Sequence, residues 1–564
     1  MRPHTGRMGT PDSNRTVRVI FLTAAAGPGP RAAPFGAARV ASALKAEPGL
    51  SGRIAVDIVE GLATDAPADL TAGMGPDAPD VIGLSMYSWN HALLAAAGRA
   101  ARARFPAALV VAGGPEASAD PEGILREAVA DVVVAGEGER AMVDIVTALL
   151  RGEEPPGPIL RPPPADLGSL PSPWLDGTLD PARWGGAALE LARGCPFSCA
   201  FCFESKGDRR VRRFPLERAA RELEAFAAAG VDEVFVLDPT FNADARRMEE
   251  AVGIMRERGP GLRYLLELRA ELLDRRQAHL LSTVDCSVQV GLQSADTVVM
   301  AAVDRSFDPA AFARKVRLLD EAGVVYGLDL MYGLPGDTLD GFCASLDYAL
   351  GLGPNHLDVF RLAVLPGTAL ADRASALGLD HDPRAPYLVR STPTFPAADL
   401  DRADRLAAAV DAFYNRGRAV PWFRALARAV RMKPVGIVES FARFLGNRTP
   451  PKGQAEAEAL QLEFLRELAQ GPKPALADAA VVEAAADTIR ASGAWTRALA
   501  EGEETDLRLG WDPELLLDEA PLDIRRFARE IARTPGRWRC SPSPSGPRFA
   551  RVRTQSGTKR NGGP

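Results

Sequence analysis

Three of the six cysteines in this chain of 564 residues lie within residues 193–202, which read RGCPFSCAFC. Their spacing is Cys-x3-Cys-x2-Cys. Thiolates are soft ligands that suit zinc ions and iron-sulfur clusters, so the segment predicts a metal site at Cys195, Cys199 and Cys202. A structural zinc ion or an electron-transfer 4Fe-4S cluster would need a fourth cysteine or histidine nearby, and the segment contains neither. The pattern favours a cubane cluster with one open iron. Three buried or zinc-bound cysteines are the alternative.

Length and composition predict a soluble protein of about three or four domains. The chain is 46% hydrophobic and 25% charged, as globular proteins usually are. No apolar run reaches the ~20 residues of a membrane span, and the N-terminus does not resemble a signal peptide. Six cysteines are too few for a disulfide scaffold, so we expect a cytoplasmic protein. The net charge of −6 gives no reason to expect nucleic acid or a membrane as a partner.

Strands and helices alternate over residues 16–150, after a tail at 1–15 that we expect to be disordered. The alternation predicts a Rossmann-like α/β domain with an open, mostly parallel sheet. Such sheets bind ligands at the carboxyl ends of their strands. Paired glycines in these loops let a bulky ligand approach the backbone, although many such turns are simply tight turns. The candidate ligand-binding residues there are Ser85, Tyr87, Gly113, Gly114, Gly136, Glu137 and Gly138.

A Pro-rich stretch at 151–184 predicts a linker, and residues 185–375 show strand-helix rounds at roughly thirty-residue spacing. These rounds predict a partial (β/α)6 TIM-type barrel, whose functional residues should gather at the carboxyl ends of its strands. A surface ion pair is the alternative for Glu267 and Arg269, and a helix cap is the alternative for Gln293 and Ser294. The candidates at these strand ends are Asp238, Pro239, Thr240, Glu267, Arg269, Gln293 and Ser294.

Beyond the barrel, the apolar periodicity of residues 376–536 predicts an all-helical C-terminal domain. Residues 537–564 contain seven Lys and Arg and no acidic residue, and their Ser-, Pro- and Gly-rich composition predicts a basic, disordered tail.

The cysteine spacing, with Phe201 just before the last cysteine, resembles the signature loop of the radical S-adenosylmethionine (SAM) enzymes. The resemblance covers about residues 185–372. It implies that Cys195, Cys199 and Cys202 hold a 4Fe-4S cluster whose open iron binds the amino and carboxylate groups of SAM. An electron from the cluster then cleaves the sulfonium, and a 5'-deoxyadenosyl radical takes a hydrogen atom from the substrate. The residues that the resemblance implies for SAM binding are Phe201, Asp238, Pro239, Thr240, Glu267, Arg269, Gln293 and Ser294.

Over about residues 17–150, the glycine-bearing loops resemble the cobalamin-binding domain that precedes the radical SAM core in one large subgroup, class B. The resemblance implies that Ser85, Tyr87, Gly113, Gly114, Gly136, Glu137 and Gly138 bind cobalamin. Many such domains carry an Asp-x-His-x-x-Gly motif whose histidine ligates cobalt, and this sequence does not contain it. His91, in Trp89-Asn90-His91-Ala92, does not have the required neighbours. Either cobalamin binds with no histidine below the cobalt, or the domain has lost the cofactor.

With both cofactors, the resemblance implies methyl transfer to an unactivated carbon or phosphorus of a small molecule. Reduced flavodoxin or ferredoxin would then be the electron donor. One alternative is a radical SAM enzyme that catalyses cyclisation or ring rearrangement without methyl transfer, and a non-enzymatic alternative is an iron-sulfur redox sensor or carrier. Residues 391–395, 113–116 and 87–90 resemble a bacterial branch whose C-terminal helical domain has no assigned function. No motif indicates the substrate or a catalytic acid or base.

Overall fold

The computed structural model describes residues 15–206, 210–446, 448, 451–470 and 476–552. The chain forms two compact units, which are described one at a time below. Unit 1 comprises Met1–Val290, Val298–Val325 and Leu362–Pro393, and unit 2 comprises Gly291–Thr297, Tyr326–Arg361 and Thr394–Pro564. Among the described residues, no helix has both the length and the apolar character that crossing a bilayer requires.

Unit 1 begins with a parallel sheet of strand order β2-β1-β3-β4-β5-β6. Its strands are β1 (Val17–Ala25), β2 (Ile54–Leu62), β3 (Val81–Ser85), β4 (Leu109–Gly113), β5 (Val132–Val134) and β6 (Ile159–Leu160). The strand order reverses at β1, which pairs with β2 on one side and β3 on the other. The carboxyl ends of the strands next to such a reversal form a crevice in which open α/β sheets bind ligands.

Helices cover both faces of this sheet. They are α1 (Phe35–Ala46), α2 (Pro67–Gly73), α3 (His91–Arg104), α4 (Pro115–Ala119), α5 (Pro121–Arg126) and α6 (Gly138–Leu150). Alternate residues of β1 point to opposite faces, as the pleat requires. Val19 packs in the core under α1 and α6, whereas Ile20 packs in the core that includes Leu94 of α3. This arrangement confirms the predicted Rossmann-like domain.

The strand β6 comes from the stretch predicted to be a linker. The N–H of Val133 donates to the carbonyl of Pro158 at 2.8 Å, and the N–H of Ala135 donates to the carbonyl of Leu160 at 2.8 Å. Proline is tolerated on an edge strand because one side of that strand needs no N–H donor. Because prolines are frequent around it, the sequence did not predict this short edge strand.

Unit 1 continues with a second parallel sheet, in which the strands run in the order β12-β11-β10-β7. The strands of this stretch are β7 (Gly186–Leu189), β8 (Ala192–Arg193), β9 (Arg212–Arg213), β10 (Glu233–Val236), β11 (Arg263–Leu268) and β12 (Cys286–Gln293). The helices are α7 (Leu216–Ala228), α8 (Ala245–Arg258), α9 (Arg275–Leu281), α10 (Thr297–Ala302) and α11 (Pro309–Ala322). The short strands β8 and β9 pair antiparallel on either side of the cysteine loop.

In unit 2, β13 (Val325–Tyr332) pairs parallel with β14 (His356–Arg361), and α12 (Leu339–Leu352) connects them. Strand and helix thus alternate from β7 to β14, which is the predicted partial (β/α)6 arrangement. Unit 1 then includes α13 (Ala369–Arg373) and a hairpin of β15 (Asp380–His381) and β16 (Val389–Ser391).

The C-terminal part of unit 2 is mostly helical. Its helices are α14 (Ala397–Val410), α15 (Val420–Val430), α16 (Pro434–Leu445), α17 (Gln454–Gln470), α18 (Ala479–Ala500), α19 (Pro513–Asp518) and α20 (Ile524–Glu530). A π-helical turn at Asp411–Asn415 follows α14. The ring of Phe413 in this turn packs against Trp422 and Phe441, with centroids 5.6 Å and 4.6 Å away. These aromatic residues form the core that holds the helices together.

The C-terminal region is not all-helical, because β17 (Thr505–Leu509), β18 (Gly536–Ser541) and β19 (Arg548–Arg551) form an antiparallel sheet. The predicted disorder of the basic tail is therefore wrong for residues 537–552. In β18 the exposed Arg537 and Arg539 alternate with inward-facing Trp538 and Cys540. An alternating pattern with arginine on the solvent face has a basic composition and still forms a strand. The rest of that tail and residues 1–14 lie outside the described residues.

Candidate functional site

A cavity of about 1120 Å³ lies at the carboxyl ends of the first sheet in unit 1. It exceeds the ~300–1,000 Å³ of sites that hold drug-sized ligands, so it suits a larger group. Loops that follow β1, β3, β4 and β5 form its wall. All the residues that were predicted to bind cobalamin line it, namely Ser85, Tyr87, Gly113, Gly114, Gly136, Glu137 and Gly138.

The loop after β3 is held by Asn90, which is 1% exposed. Its Oδ1 accepts the N–H of Tyr87 at 2.8 Å, and its Nδ2 donates to the carbonyls of Ala24 at 3.0 Å and Ser85 at 3.2 Å. The ring of Tyr87 stacks on that of Trp89 with centroids 4.3 Å apart. Burial raises the pKa of Tyr87, so its phenol is neutral. The cavity therefore has a fixed, uncharged aromatic wall on this side.

Asn90 was not predicted, because an asparagine just before a helix is usually interpreted as a helix cap. In the structure its side chain faces back toward β1 and β3 instead of capping α3.

The last residue of β4, Gly113, and the next residue, Gly114, have different roles. Gly114 has φ +104°, and a Cβ there would lie 2.5 Å from the carbonyl oxygen of Met86. The turn itself therefore requires glycine at 114. A Cβ at Gly113 would meet no atom within 4 Å. Gly113 thus exposes backbone to open cavity space, and a side chain at this position would occupy the cavity.

The imidazole of His91 is engaged on both nitrogens outside the cavity. Nδ1 lies 2.9 Å from Glu116 Oε1, and Nε2 lies 3.2 Å from Glu127 Oε2. The hydrogen bond to Glu116 raises the pKa of His91. Burial would lower this pKa, and the hydrogen bond to Glu127 raises it further. Glu116 also accepts a short hydrogen bond from the hydroxyl of Tyr387. Among the described residues that line the cavity there is no histidine.

Glu137 was predicted to bind cobalamin, and its carboxylate is bonded to the chain itself. Its Oε2 accepts the N–H of Ala165 at 2.6 Å, and Arg212 forms a short ion pair with Oε1. Burial alone would raise the pKa of Glu137, but Arg212 and the other hydrogen-bond donors hold it below its usual range. The carboxylate is therefore ionised and fastens the segment at 165 beside the cavity.

Arg193, which also lines the cavity, ties the cysteine loop to this wall. It donates to Glu190 Oε1 at 2.7 Å and to Glu139 Oε1 at 2.7 Å, and it lies 3.3 Å from Glu137. Burial alone would lower the pKa of Arg193, but Glu190 and Glu139 raise it above its usual range. Glu139 and Glu190 were not predicted, since the sequence does not show that carboxylates so far apart share one guanidinium.

The cysteine loop follows Arg193 directly. Cys199 is buried and Cys195 and Cys202 are half-buried, and none of the six cysteines, all in the described part of the chain, forms a disulfide. The N–H of Ala200 donates to the carbonyl of Val303 at 3.0 Å, and its carbonyl accepts the N–H of Leu370 at 2.8 Å. Three thiols outside disulfides on one anchored loop fit the donor set of an iron-sulfur cluster.

The thiols are not drawn together into a complete coordination shell. Within the described ranges, no three His, Cys, Asp or Glu side chains converge as a metal site. The hydroxyl of Thr240 lies 3.7 Å from Cys195 Sγ. The loop therefore presents the ligands that the sequence predicts without showing the geometry of a bound cluster.

Asp238, at the end of β10, is a buried carboxylate that supports the start of the loop. It accepts the N–H groups of Leu191 at 2.9 Å and Ala192 at 3.0 Å. Burial raises the pKa of Asp238 to about 7. Beside it, the hydroxyl of Thr240 donates to the carbonyl of Pro239 at 2.8 Å. The side chain of Asp238 therefore holds the backbone just before the cysteines.

Arg269, predicted to bind SAM, contacts the cysteine loop. Its Nη1 donates to Cys199 Sγ at 3.5 Å, and its Cζ lies 3.8 Å from the ring centroid of Phe197. Its Nη2 donates to Glu271 at 2.7 Å. The amide of Asn242, 1% exposed, bonds both the N–H and the carbonyl of Arg269 at 3.0 Å. Asn242 and Glu271 were not predicted, and Asn242 fixes the position of Arg269.

Two more predicted SAM-binding residues, Glu267 and Phe201, also lie in unit 1. The carbonyl of Glu267 accepts the N–H of Phe241 at 2.8 Å, which joins the ends of β10 and β11. Phe201 is half-buried on the cysteine loop.

The remaining predicted pair, Gln293 and Ser294, belongs to unit 2. Gln293 ends β12 with φ +66°, in the left-handed region. Ser294 is 1% exposed, its hydroxyl accepts the N–H of Asp296 at 3.1 Å, and the Ser345 hydroxyl lies 3.4 Å away. The side chain of Ser294 thus stabilises the turn before α10.

Two family models match the chain. The B12 binding domain matches residues 23–146, and the Radical SAM superfamily matches residues 189–349. The chain contains a B12-binding domain and a radical SAM domain. Its cofactors are a 4Fe-4S cluster, SAM and cobalamin, as the sequence predicts. The cysteine loop lies within the second match.

Similar proteins include two methyltransferases. The cobalamin-dependent radical SAM methyltransferase TokK of Streptomyces tokunonensis is 29% identical over 350 residues, which are 55% of this chain and 51% of TokK. The 2-(S-pantetheinyl)-carbapenam-3-carboxylate methyltransferase of Streptantibioticus cattleyicolor is 30% identical over 364 residues, 57% of this chain and 53% of that protein. The chain thus spans about half the length of the curated relatives it matches.

Solved structures of this class share the fold. The cobalamin-dependent SAM radical enzyme OxsB superposes with a TM-score of 0.59 at 14% identity, over 85% of this chain and 79% of OxsB. The radical SAM methyltransferase TsrM of Kitasatospora setae superposes with a TM-score of 0.53 at 17% identity, over 65% of this chain and 76% of TsrM. These likenesses confirm the predicted α/β architecture of the radical SAM protein.

Proposed function

We propose that this radical SAM protein is a cobalamin-dependent methyltransferase that acts on an unactivated carbon or phosphorus of a small molecule. The observation that carries the proposal is the cavity of about 1120 Å³. The predicted cobalamin-binding residues line it, and so do Arg193 and Gly194, which lead directly into Cys195. The two cofactor-binding segments of unit 1 therefore open onto the same space. The names of TokK and of the carbapenam methyltransferase support methyl transfer over the alternatives.

When bound, the cluster supplies an electron for cleavage of SAM, and cobalamin supplies a methyl group. The chain positions these groups and excludes water from them. Asn90 fixes the loop with Tyr87 and Trp89, and Arg193 fixes the entry to the cysteine loop. Apolar side chains on the cavity wall, including Phe35 and Met142, keep water from reactive species.

The proposal assigns roles to the predicted residues. Cys195, Cys199 and Cys202 hold the cluster. Glu267 and the backbone at Pro239 and Thr240 bind SAM. The bonded side chain of Asp238 holds the loop beside it, and that of Ser294 holds its own turn in unit 2. In the cobalamin site the backbone at 113 and at 136–138 faces the corrin, and Glu137 acts by holding the segment at 165.

The proposal also covers the partners and the domain boundaries. An external one-electron donor must reduce the cluster, and reduced flavodoxin or ferredoxin is the proposed donor. Low-potential thiolate clusters persist in a reducing compartment, which favours the cytoplasm. Nucleic acid and membranes are not proposed as partners. The domains are proposed at 16–150, 185–375 and 376–536, with two amendments: the linker at 151–184 contributes β6 to the first sheet, and the C-terminal part continues through β19.

Labelled methionine tests the proposal. Cells with and without the gene are fed methionine with a deuterated methyl group, and their small molecules are compared by mass spectrometry. A labelled product should appear only with the gene, and the Cys199→Ala variant should abolish it. The purified protein should also take up cobalamin under anaerobic, reducing conditions. A new product without the label would favour ring rearrangement, and no cobalamin uptake would overturn the methyltransferase proposal.

A further inference from the structure

We propose that Arg269 and Arg305 set the reduction potential of the cluster by placing positive charge against Cys199. They are positioning residues, because they act on the cluster through its cysteine ligand. The inference rests on the proposed role of Cys199 as a cluster ligand, and it replaces the predicted role of Arg269 in binding SAM.

The contact of Arg269 with the cysteine loop is specific. Nη1 donates to Cys199 Sγ at 3.5 Å, while the guanidinium stacks on Phe197 at 3.8 Å. Nη2 is bonded to Glu271. Nε is buried and has no hydrogen-bond partner among the described residues, so it retains an N–H for a sulfide of the cluster. Buried N–H groups normally have a partner, so this atom points to a ligand outside the protein.

Arg305, in the segment between α10 and α11, adds a second buried cation. It is 7% exposed, and its Nη2 lies 3.6 Å from Glu271 Oε1. Arg269 Nη2 donates to the same oxygen at 2.7 Å, so the two guanidinium groups meet at one carboxylate.

Two guanidinium groups contact one carboxylate, Glu271, and that of Arg269 also contacts Cys199. The side chain of Arg269 is 13% exposed and that of Arg305 is 6% exposed, so solvent screens them weakly. The arrangement is a charge clamp made of Arg269, Arg305 and Glu271.

The charge clamp should favour the reduced cluster. Reduction transfers one electron from an external donor to the cluster, which becomes one charge more negative while the donor is oxidised. Net charge and hydrogen bonds to sulfur are among the factors that set cluster potentials. A nearby cation and an N–H···S bond both stabilise the added charge. Removing either arginine should therefore lower the potential, and removing Glu271 should raise it.

The test is a potentiometric titration of the full chain with its reconstituted cluster, using dithionite and monitoring the reduced cluster by EPR without SAM. Arg269→Gln should reduce the equilibrium constant for reduction by about tenfold or more, which is about 59 mV for one electron. Arg305→Gln should shift the potential in the same direction. Arg269→Lys should retain most of the wild-type potential because it keeps the charge.

Two further variants separate charge from structure. Glu271→Gln should shift the potential upward, a change that a purely structural defect would not produce. Arg276→Gln, which removes an exposed guanidinium paired with Glu249 at 2.7 Å, should leave the potential unchanged. If Arg269→Gln loses its iron, the reduction potentials of Arg305→Gln and Glu271→Gln still test the proposal, because they should shift in opposite directions.

The outcomes distinguish the inference from the proposed function. Full iron content with unchanged potentials in Arg269→Gln, Arg305→Gln and Glu271→Gln would overturn the charge clamp while leaving the cluster in place. Shifts of Arg269→Gln and Glu271→Gln in the same direction would also overturn it. Wild-type protein that assembles no cluster would instead overturn the proposed function.

Discussion

Arg193, two residues before Cys195, donates a 2.7 Å hydrogen bond to Glu139 in the first turn of α6. Glu139 is 4% exposed and belongs to the B12-binding domain, whereas Arg193 leads into the cysteine loop. One buried ion pair thus connects the wall of the cavity with the loop that carries the thiols. Loss of one partner would leave the other charge buried without its full set of partners, which is costly.

The Glu139→Ala variant should therefore be destabilised by about 1–3 kcal/mol, because Arg193 keeps Glu190 but loses a charged hydrogen bond. It should also retain less iron after reconstitution. Asp144→Ala on the same helix is the matched control. Asp144 is an exposed partner of Arg140, and such pairs contribute only about 0.3–0.5 kcal/mol. Chemical denaturation and iron analysis would measure both effects, and equal loss in the two variants would contradict the role of Glu139.

Gly113→Leu should abolish cobalamin uptake and leave the fold intact. A Cβ at this position meets open cavity space, so the new side chain would occupy the cofactor volume without a clash in the protein. Gly157→Leu places the same side chain at another glycine with no neighbour within 4 Å and should bind cobalamin normally. Absorption spectroscopy after gel filtration would quantify the bound cofactor. Normal uptake by Gly113→Leu would show that cobalamin does not approach the end of β4.

The adjacent glycine should behave differently. Gly114→Ala should lower stability, because its Cβ would lie 2.5 Å from the carbonyl of Met86 and its φ is +104°. A substitution at 114 therefore tests the turn and not the cofactor, which the sequence alone could not distinguish.

The sequence predicted those features that depend only on residues adjacent in the chain. The spacing of Cys195, Cys199 and Cys202 and the glycines after β4 and β5 could be recognised from neighbouring residues, and the glycines do line the cavity. Roles that depend on distant partners were missed. Glu139 and Arg193 are 54 residues apart, and Arg269 and Cys199 are 70 residues apart. A guanidinium at a strand end is equally suited to a carboxylate and to a thiolate, and only the fold determines which it contacts.

His91 should contribute stability that depends on pH. Its pKa is raised in the folded state, mainly by Glu116, so the contribution is fully present below the unfolded pKa of 6.5 and is lost as pH rises through the folded pKa. Glu127 and, through Glu116, Tyr387 belong to the same cluster. Melting temperatures measured across this range should fall for the wild type and change less for His91→Gln. An identical pH profile would contradict this assignment.

His91→Gln should leave the spectrum of bound cobalamin unchanged. Both ring nitrogens are engaged by Glu116 and Glu127, so the imidazole is not available to cobalt. The absorption and EPR spectra should show cobalamin with its own base displaced and no histidine nitrogen, in the wild type and in the variant alike. A nitrogen signal that disappears in His91→Gln would identify His91 as the cobalt ligand after all.

Asp404 of α14 should stabilise two strand ends in unit 2. It forms a short hydrogen bond with the hydroxyl of Tyr332 at the end of β13, and it accepts from Arg361 Nη1 at 3.0 Å at the end of β14. Burial, with Asp404 beside it, raises the pKa of Tyr332 above its usual range, so the phenol remains a donor. Helix α14 is thereby bonded to both strands, β13 and β14, within unit 2.

Asp404→Ala should destabilise the protein by about 1–3 kcal/mol, because a buried phenol and a guanidinium each lose a hydrogen bond to its carboxylate. Asp401→Ala, an exposed aspartate on the same helix, should change stability by less than about 0.5 kcal/mol. Denaturation of both variants would measure the difference. Equal stability of the two variants would show that α14 does not support these strand ends.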